Sequence, residues 1–172
     1  MIQRQIKLLD DLIKDYSFVA MYDDDIEVKV SDRERAFSIA ERERLDLFAP
    51  ALTHDSHYTY DFTLYEGRGV RQVEWVEIMM PHFSRRFINQ LKTHLLNLER
   101  HNLKSGYGYD MYLFPKFLRE INGQRAILDG VSARHNRPIK SQEINFSNGM
   151  STADEMDVVY NYVINSTNRK PS

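Results

Sequence analysis

Cysteine is absent from this chain. Disulfides and thiolate metal sites are therefore excluded, and any metal must be held by oxygen or imidazole ligands. Long apolar runs are missing too, and none approaches the roughly 20 residues needed to cross a bilayer. The start, Met1-Ile2-Gln3-Arg4-Gln5-Ile6-Lys7, lacks the continuous apolar segment of a signal peptide. A large excess of either charge is missing: the net is −2, which gives no electrostatic case for a nucleic acid or an anionic membrane as partner. Internal repeats, low-complexity stretches and linker-like segments are also lacking. Together these absences lead to the expectation of a reduced, cytoplasmic protein without a transmembrane segment.

What is present is ordinary for a globular chain. Its 172 residues are 42% hydrophobic and 28% charged. A domain of that size hides about 70% of its unfolded surface. One domain over residues 1–172 is expected, with its core in about 2–138 and a last helix at about 152–165.

Periodicity predicts alternating helices and strands. Ile2, Ile6, Leu9 and Ile13 recur at helical spacing, predicting a helix over 2–14 that leads into a strand at 17–22. Such an order suits an α/β sheet. Residues 32–46 read as a helix with Ala36, Phe37 and Ala40 inward. The segment 47–52 is apolar but contains Pro50, which predicts an edge strand or extended loop. Residues 53–69 read as irregular. Val73-Glu74-Trp75-Val76-Glu77-Ile78-Met79 alternates as a strand halted by Pro81. A helix from about Ser84, with Phe87, Leu91, Leu95 and Leu98 inward, is expected to run until Gly106 and Gly108 break it. A shorter helix near 110–121 stops at Asn122-Gly123. A last strand begins at Ala126 and leads to His135. Thr152-Ala153-Asp154-Glu155 has capping-box character and opens a helix that buries Met156, Val159, Tyr160 and Val163.

The most informative placement is that of Asp23, Asp24 and Asp25, directly after Phe18-Val19-Ala20-Met21-Tyr22. Adjacent carboxylates repel, and desolvating them is costly unless a positive centre is near. A strand that delivers carboxylates to its C-terminal end is a common way to hold a hard divalent cation beside a phosphate. A solvated acidic loop is the competing reading. Glu77 lies in an otherwise apolar segment, where it either faces a substrate pocket or pairs with Arg71 or Arg85. Trp75 is a sugar-stacking platform or a piece of core wall. His54 and His57 flank Asp55, which invites a metal, although a tyrosine-rich substrate loop fits better. His82 is a candidate to line the substrate side. Arg134, Arg137 and Lys140 form a basic cluster able to meet phosphate, or a solvated loop.

The strand ending in Asp23-Asp24-Asp25-Ile26 resembles the DxD motif of GT-A glycosyltransferases. Ala49-Pro50-Ala51-Leu52, then Val76-Glu77-Ile78-Met79-Met80-Pro81-His82-Phe83-Ser84, then Gly106-Tyr107-Gly108-Tyr109-Asp110 are similar in order and spacing to a family of such proteins with the pattern DDDI, PAL, VEIMAP-FS and GWG-D. The resemblance spans about residues 2–138. It implies a GT-A-like α/β fold, Rossmann-like, with a mixed sheet flanked by helices. It also implies transfer of a sugar from a nucleotide-diphosphate donor to a glycan or other hydroxyl acceptor, with Mn²⁺ or Mg²⁺ neutralising the leaving diphosphate. Asp23, Asp25 and His135 are the implied metal ligands. Asp23, Asp24, Arg137 and Lys140 stand on the donor side, and Asp24 is expected to point away from the metal. Asp110 is the implied general base, although an aspartate at a helix start also caps backbone N–H groups. Trp75, Glu77, His82 and Tyr107 fall to the acceptor side. The βαβ segment that opens a GT-A domain has no counterpart here, so an N-terminally truncated fold is expected, its sheet completed by a partner chain or a second copy. Two other readings stay open. One is a non-catalytic glycosyltransferase-like binding domain. The other is a phosphohydrolase using Asp23 as nucleophile, which is weakened by Glu27 at a position where that chemistry wants a hydroxyl.

Overall fold

The computed structural model describes residues 13–138 and 146–167. The helix expected over 2–14 lies almost wholly outside them, and its end is a short 3₁₀ turn, Ile13–Asp15. Among the described residues six strands follow: β1 (Phe18–Ala20), β2 (Ile26–Val28), β3 (Leu45–Leu52), β4 (Val70–Gln72), β5 (His82–Ser84) and β6 (Gln124–His135). They form one mixed sheet in the order β1-β5-β3-β6-β2, with β4 also paired to β6. Only β3 and β6 run parallel, and every other pairing is antiparallel. Among the described residues four α-helices accompany the sheet: α1 (Val30–Glu43), α2 (Arg85–Glu99), α3 (Phe114–Glu120) and α4 (Thr152–Thr167). The protein is thus a mixed α/β molecule. No helix among the described residues is long and apolar enough to cross a membrane.

Strand alternation divides the core in two. Leu47, Ala49 and Ala51 of β3 and Ile127 of β6 face a large cluster with Phe83, Phe87, Leu91, Phe114 and Val159. Phe48, Ala126 and Leu128 point the other way, onto Ala36, Ile39 and Ala40 of α1. Both faces of the central pair are therefore covered, which is why β3 is buried at every residue.

That burial corrects the expectation of an edge strand at Pro50. A proline lacks the N–H that a ladder needs. The molecule tolerates it because β5 pairs with β3 only at Leu47 and Phe48, leaving Pro50 beyond the last paired residue on that side. The register with β6 also shifts between Pro50 and Ala51.

The strand expected over 73–79 does not form. Strand geometry is confined to Val70–Gln72 and His82–Ser84. The backbone between them is tied elsewhere: Met21 N–H donates to Pro81 O at 3.0 Å and Asp23 N–H to Met79 O at 2.9 Å. Its alternating pattern reflects burial of Val76, Met79 and Met80 rather than a ladder.

Helix α2 begins as expected. Ser84 Oγ accepts from Phe87 N–H at 3.1 Å, and Phe87, Ile88, Leu91, Leu95 and Leu98 are buried. It ends at Glu99, before the glycines. The shorter helix is preceded by a π-helical turn, Tyr109–Leu113. The capping box of α4 is one residue earlier than expected: Ser151 Oγ accepts from Asp154 N–H at 3.1 Å, and Asp154 Oδ2 accepts from Ser151 N–H at 2.8 Å. Its inner face carries Glu155 with Val159 and Val163, whereas Tyr160 is exposed and Met156 half-buried.

Candidate functional site

Three segments converge at one end of the sheet. The chain leaving β1 carries Asp23, Asp24 and Asp25 into β2. Strand β2 pairs with the end of β6 through Ile26 and His135, and Asn136 N–H donates to Asp25 O at 3.0 Å. Pairing at these strand ends therefore brings His135 to Asp25, across more than a hundred residues of sequence.

The geometry of His135 is tightly set. Its Nδ1 lies 2.8 Å from His57 O. A carbonyl only accepts, so Nδ1 carries the hydrogen and, in the neutral ring, Nε2 presents a lone pair. Nε2 faces Asp25 Oδ2 at 3.2 Å. The pair is not without a positive centre, since Arg137 also reaches Oδ2. The loop carrying His57 is held in turn: His57 N–H donates to His135 O at 3.1 Å, and His135 N–H to Ser56 Oγ at 3.2 Å. A backbone carbonyl orienting a histidine in this way is the usual second layer of a metal ligand. Sequence reading gave no hint of it, because a carbonyl leaves no residue-type signal.

Arg137 pairs with Asp24 Oδ1, and its Nε lies 3.1 Å from Asp25 Oδ2. Asp24 is 88% exposed and points to solvent. Lys140 lies outside the described residues. Partial desolvation, then the neighbouring Asp25 charge, push the Asp23 carboxyl up to about 6, although the residue is exposed overall. Among the described residues no group of three or more histidine or carboxylate side chains is placed to hold a metal ion by itself. Asp25 and His135 thus make a two-ligand arrangement. One carboxylate and one imidazole are fewer donors than a divalent ion needs, so substrate phosphates or water would have to complete its shell.

Beside this corner opens a cleft of about 300 Å³, lined by Met21, Asp23, Tyr60, Tyr107 and Asp110 among others. Asp110 is buried at the start of the π-helical turn. Its Oδ1 accepts from Met111 N–H at 2.9 Å and its Oδ2 from Ile78 N–H at 3.3 Å. Burial outweighs those bonds and pushes its carboxyl up to about 6. Gly106 is close-packed here, since a Cβ would stand 2.4 Å from Ile78 Cδ1. Gly108 adopts φ +86°, which favours glycine, and turns the chain into the Asp110 segment.

Glu77 pairs with neither arginine expected for it. Arg71 is engaged by Asp129, Glu66, Phe62 O and Leu64 O, and Arg85 donates to Lys14 O. Desolvation first, then the charges of Asp110 and Asp23, push Glu77 up to about 7. Trp75 packs edge-on against Tyr60 and Phe62, with ring centroids at 4.7 and 5.0 Å. It supports Tyr60 and is not among the cleft-lining residues. Tyr107 is half exposed on the cleft wall.

His82 is placed away from the cleft. It is fully buried against Phe37 and Phe48. Its Nδ1 lies 3.0 Å from Met80 O and its Nε2 is 2.7 Å from the Tyr22 hydroxyl, so the neutral ring is satisfied. Burial pushes its pKa down to about 4. Arg134 pairs with Asp55 at 3.1 Å, and His94 stacks on Phe117 and meets Tyr162 OH at 2.9 Å.

Sequence reading also missed Glu155 as more than a helix-start residue. Its buried carboxylate accepts from Lys104 N–H, Ser105 N–H and Oγ, and Asn148 Nδ2, at 2.6 to 2.8 Å. This clamp fixes residues 104 and 105, which line the cleft.

No protein-family model matches the chain, and no curated protein does. Among solved structures it is similar to the crystal structure of A197 from STIV, at 17% identity and a TM-score of 0.43. That overlap covers 88% of this chain and 74% of the other. A likeness so loose carries no argument about the site.

Proposed function

We propose that the protein is a GT-A-type, metal-dependent glycosyltransferase, moving a sugar from a nucleotide-diphosphate donor to a hydroxyl acceptor. One observation carries this reading: the His57 carbonyl orients the His135 ring so that Nε2 stands 3.2 Å from the Asp25 carboxylate. Asp25 and His135 would hold Mn²⁺ or Mg²⁺, with Asp23 next to them at the mouth of the cleft. When bound, the ion neutralises charge gathering on the leaving diphosphate.

The chain's own residues supply the remainder. Arg137, half exposed beside Asp25, is a cation that could turn to the phosphates. Tyr107 and Tyr60 offer ring faces and hydroxyls to a sugar. The Glu155 clamp and the bonds to Asp110 hold both walls of the cleft in place before substrate arrives, which lowers the ordering cost of binding. A non-catalytic binding domain is the second reading, favoured by the Arg137 contact with Asp25, which supplies a positive charge without a metal.

Calorimetric titration of Mn²⁺, alone and with UDP or GDP, into the wild type and Asp25→Ala separates the two. Nucleotide binding that requires Mn²⁺ and is lost in Asp25→Ala is the expected result. A wild type that binds neither metal nor nucleotide would overturn the transferase reading.

A further inference from the structure

Apolar side chains dominate the cleft beside the Asp25–His135 corner. Four of the chain's seven methionines line it, Met21, Met79, Met111 and Met156, together with Ile78. Unbranched thioether side chains adapt to a flexible apolar partner rather than to one rigid shape.

The polar side chains of the cleft mostly spend their hydrogen bonds inside the protein. The Tyr22 hydroxyl lies 2.7 Å from His82 Nε2, and Lys104 Nζ donates to Asn102 Oδ1 at 2.6 Å. Ser105 Oγ donates to Glu155 and accepts from Tyr107 N–H. Both Asp110 oxygens accept backbone N–H groups. Among the described residues, this leaves the side chains of Asp23, Tyr60 and Tyr107 as the cleft's polar groups without a hydrogen bond inside the protein. Three such groups can hold one hydroxyl-bearing end of a ligand. They do not match the many hydroxyls of a glycan, each of which is costly to desolvate without a partner.

Apolar surface continues beyond the cleft. Tyr107 and Met111 are exposed at its wall. Gly108 lies against Met156 and Tyr112, since a Cβ there would stand 3.2 and 3.3 Å from them. Tyr112 packs edge-on against Tyr160, with ring centroids 5.2 Å apart. Tyr160 and Ile164 follow Met156 at four-residue spacing on α4, and both are exposed. A ligand that fills the cleft and covers this row is elongated and apolar, with its hydroxyl at one end.

We propose that the acceptor hydroxyl is carried on an alkyl chain, which lies among the cleft methionines and leaves along Tyr160 and Ile164. The hydroxyl end stands at Asp23, Tyr60 and Tyr107. This rests on the transferase reading above and narrows the acceptor to an alkyl-tailed compound.

Alkanols test it without a donor. The methionine methyl groups are ¹³C-labelled, and their NMR signals are followed while 1-butanol, 1-hexanol, 1-octanol or maltose is titrated into the wild type. Signals of the four cleft methionines are expected to shift with the alkanols, Kd tightening about 4-fold per added methylene. Met80 and Met150, which do not line the cleft, should stay in place, and maltose should move no signal. Met111→Gln should weaken 1-octanol binding about 10-fold, whereas Tyr160→Gln should weaken 1-octanol and leave 1-butanol unchanged. Equal shifts across all the methionines, or maltose binding as tightly as 1-octanol, would overturn the proposal. Asp25→Ala separates the two readings, because it should lose Mn²⁺-dependent UDP binding and keep 1-octanol binding. A wild type that binds Mn²⁺ and UDP but no alkanol overturns the alkyl acceptor and leaves the transferase standing. One that binds alkanols but no nucleotide overturns the transferase, and with it the acceptor role, and leaves an alkyl-chain site.

Discussion

Glu77 and His82 sit five residues apart and respond to pH in opposite senses. Glu77 holds its proton more tightly folded than unfolded, with a pKa of about 7 against an ordinary 4.5. Its effect on stability is therefore unfavourable as pH rises from about 4.5 to 7. Asp110, Asp23 and Tyr60 face it, and the first two act in the same sense, both being pushed up to about 6. His82, depressed to about 4 from 6.5, stabilises the fold above 6.5 and loses that contribution as pH falls towards 4. The Glu77 and His82 shifts are each worth about 3 kcal/mol, so between pH 4.5 and 6.5 they offset one another. In Glu77→Gln the offset is gone, and stability should climb more steeply over that interval than in wild type. Urea denaturation at half-unit pH steps checks this, and parallel curves for the two proteins would refute it. The sequence announced both residues as unusual. It could not show which would be satisfied, because the partners are the Tyr22 hydroxyl and a backbone carbonyl for His82, and, among the described residues, none for Glu77 Oε2.

Among the elements, α2 was legible because its start and its face are written locally: a serine cap, then apolar residues at helical spacing. The cap also reaches beyond the helix. Ser84 Oγ donates to Asp46 Oδ1 at 2.7 Å, and Asp46 further accepts from Arg86 and from Gln124 N–H. One buried carboxylate therefore links the starts of β3, α2 and β6. Ser84→Ala should cost about 2 kcal/mol, combining a lost cap with a lost buried hydrogen bond. For a chain of this size that lowers Tm by about 4–8 °C, readable by circular dichroism, whereas Ser84→Thr should keep most of the stability. What was not legible at this scale was non-local. Pro50 reads as an edge signal, yet β3 is central because its neighbours stop pairing where the proline begins. The alternation in 73–79 reads as a strand, yet its backbone serves the segment leaving β1. β2 was missed because three residues carry no periodicity of their own.

Across the whole molecule, the cleft depends on a clamp that lies outside it. Asp129 lies where the register of β3 on β6 shifts, and its carboxylate, 1% exposed, pairs with Arg71 of β4 at 3.0 Å. Burial alone would raise the Asp129 pKa, but the Arg71 fork and the Arg68 N–H outweigh it and hold it below its usual range. The same guanidinium donates to Phe62 O at 2.8 Å and Leu64 O at 2.6 Å. Phe62 packs on Trp75, and Trp75 on Tyr60 at the cleft wall. A planar fork serving a carboxylate and two carbonyls is not reproduced by an ammonium. Arg71→Lys should therefore cost about 2 kcal/mol and loosen the Tyr60–Trp75 packing. Trp75 is the sole tryptophan, so its fluorescence reports that corner directly, with a red-shifted emission and faster quenching by acrylamide. Arg68→Lys is the matched control, because its side chain is 75% exposed and its pair with Glu66 lies at the surface; exposed pairs contribute little. If Arg71→Lys leaves both Tm and emission where wild type has them, the cleft wall is held by ring packing alone and the clamp has no part in shaping the site.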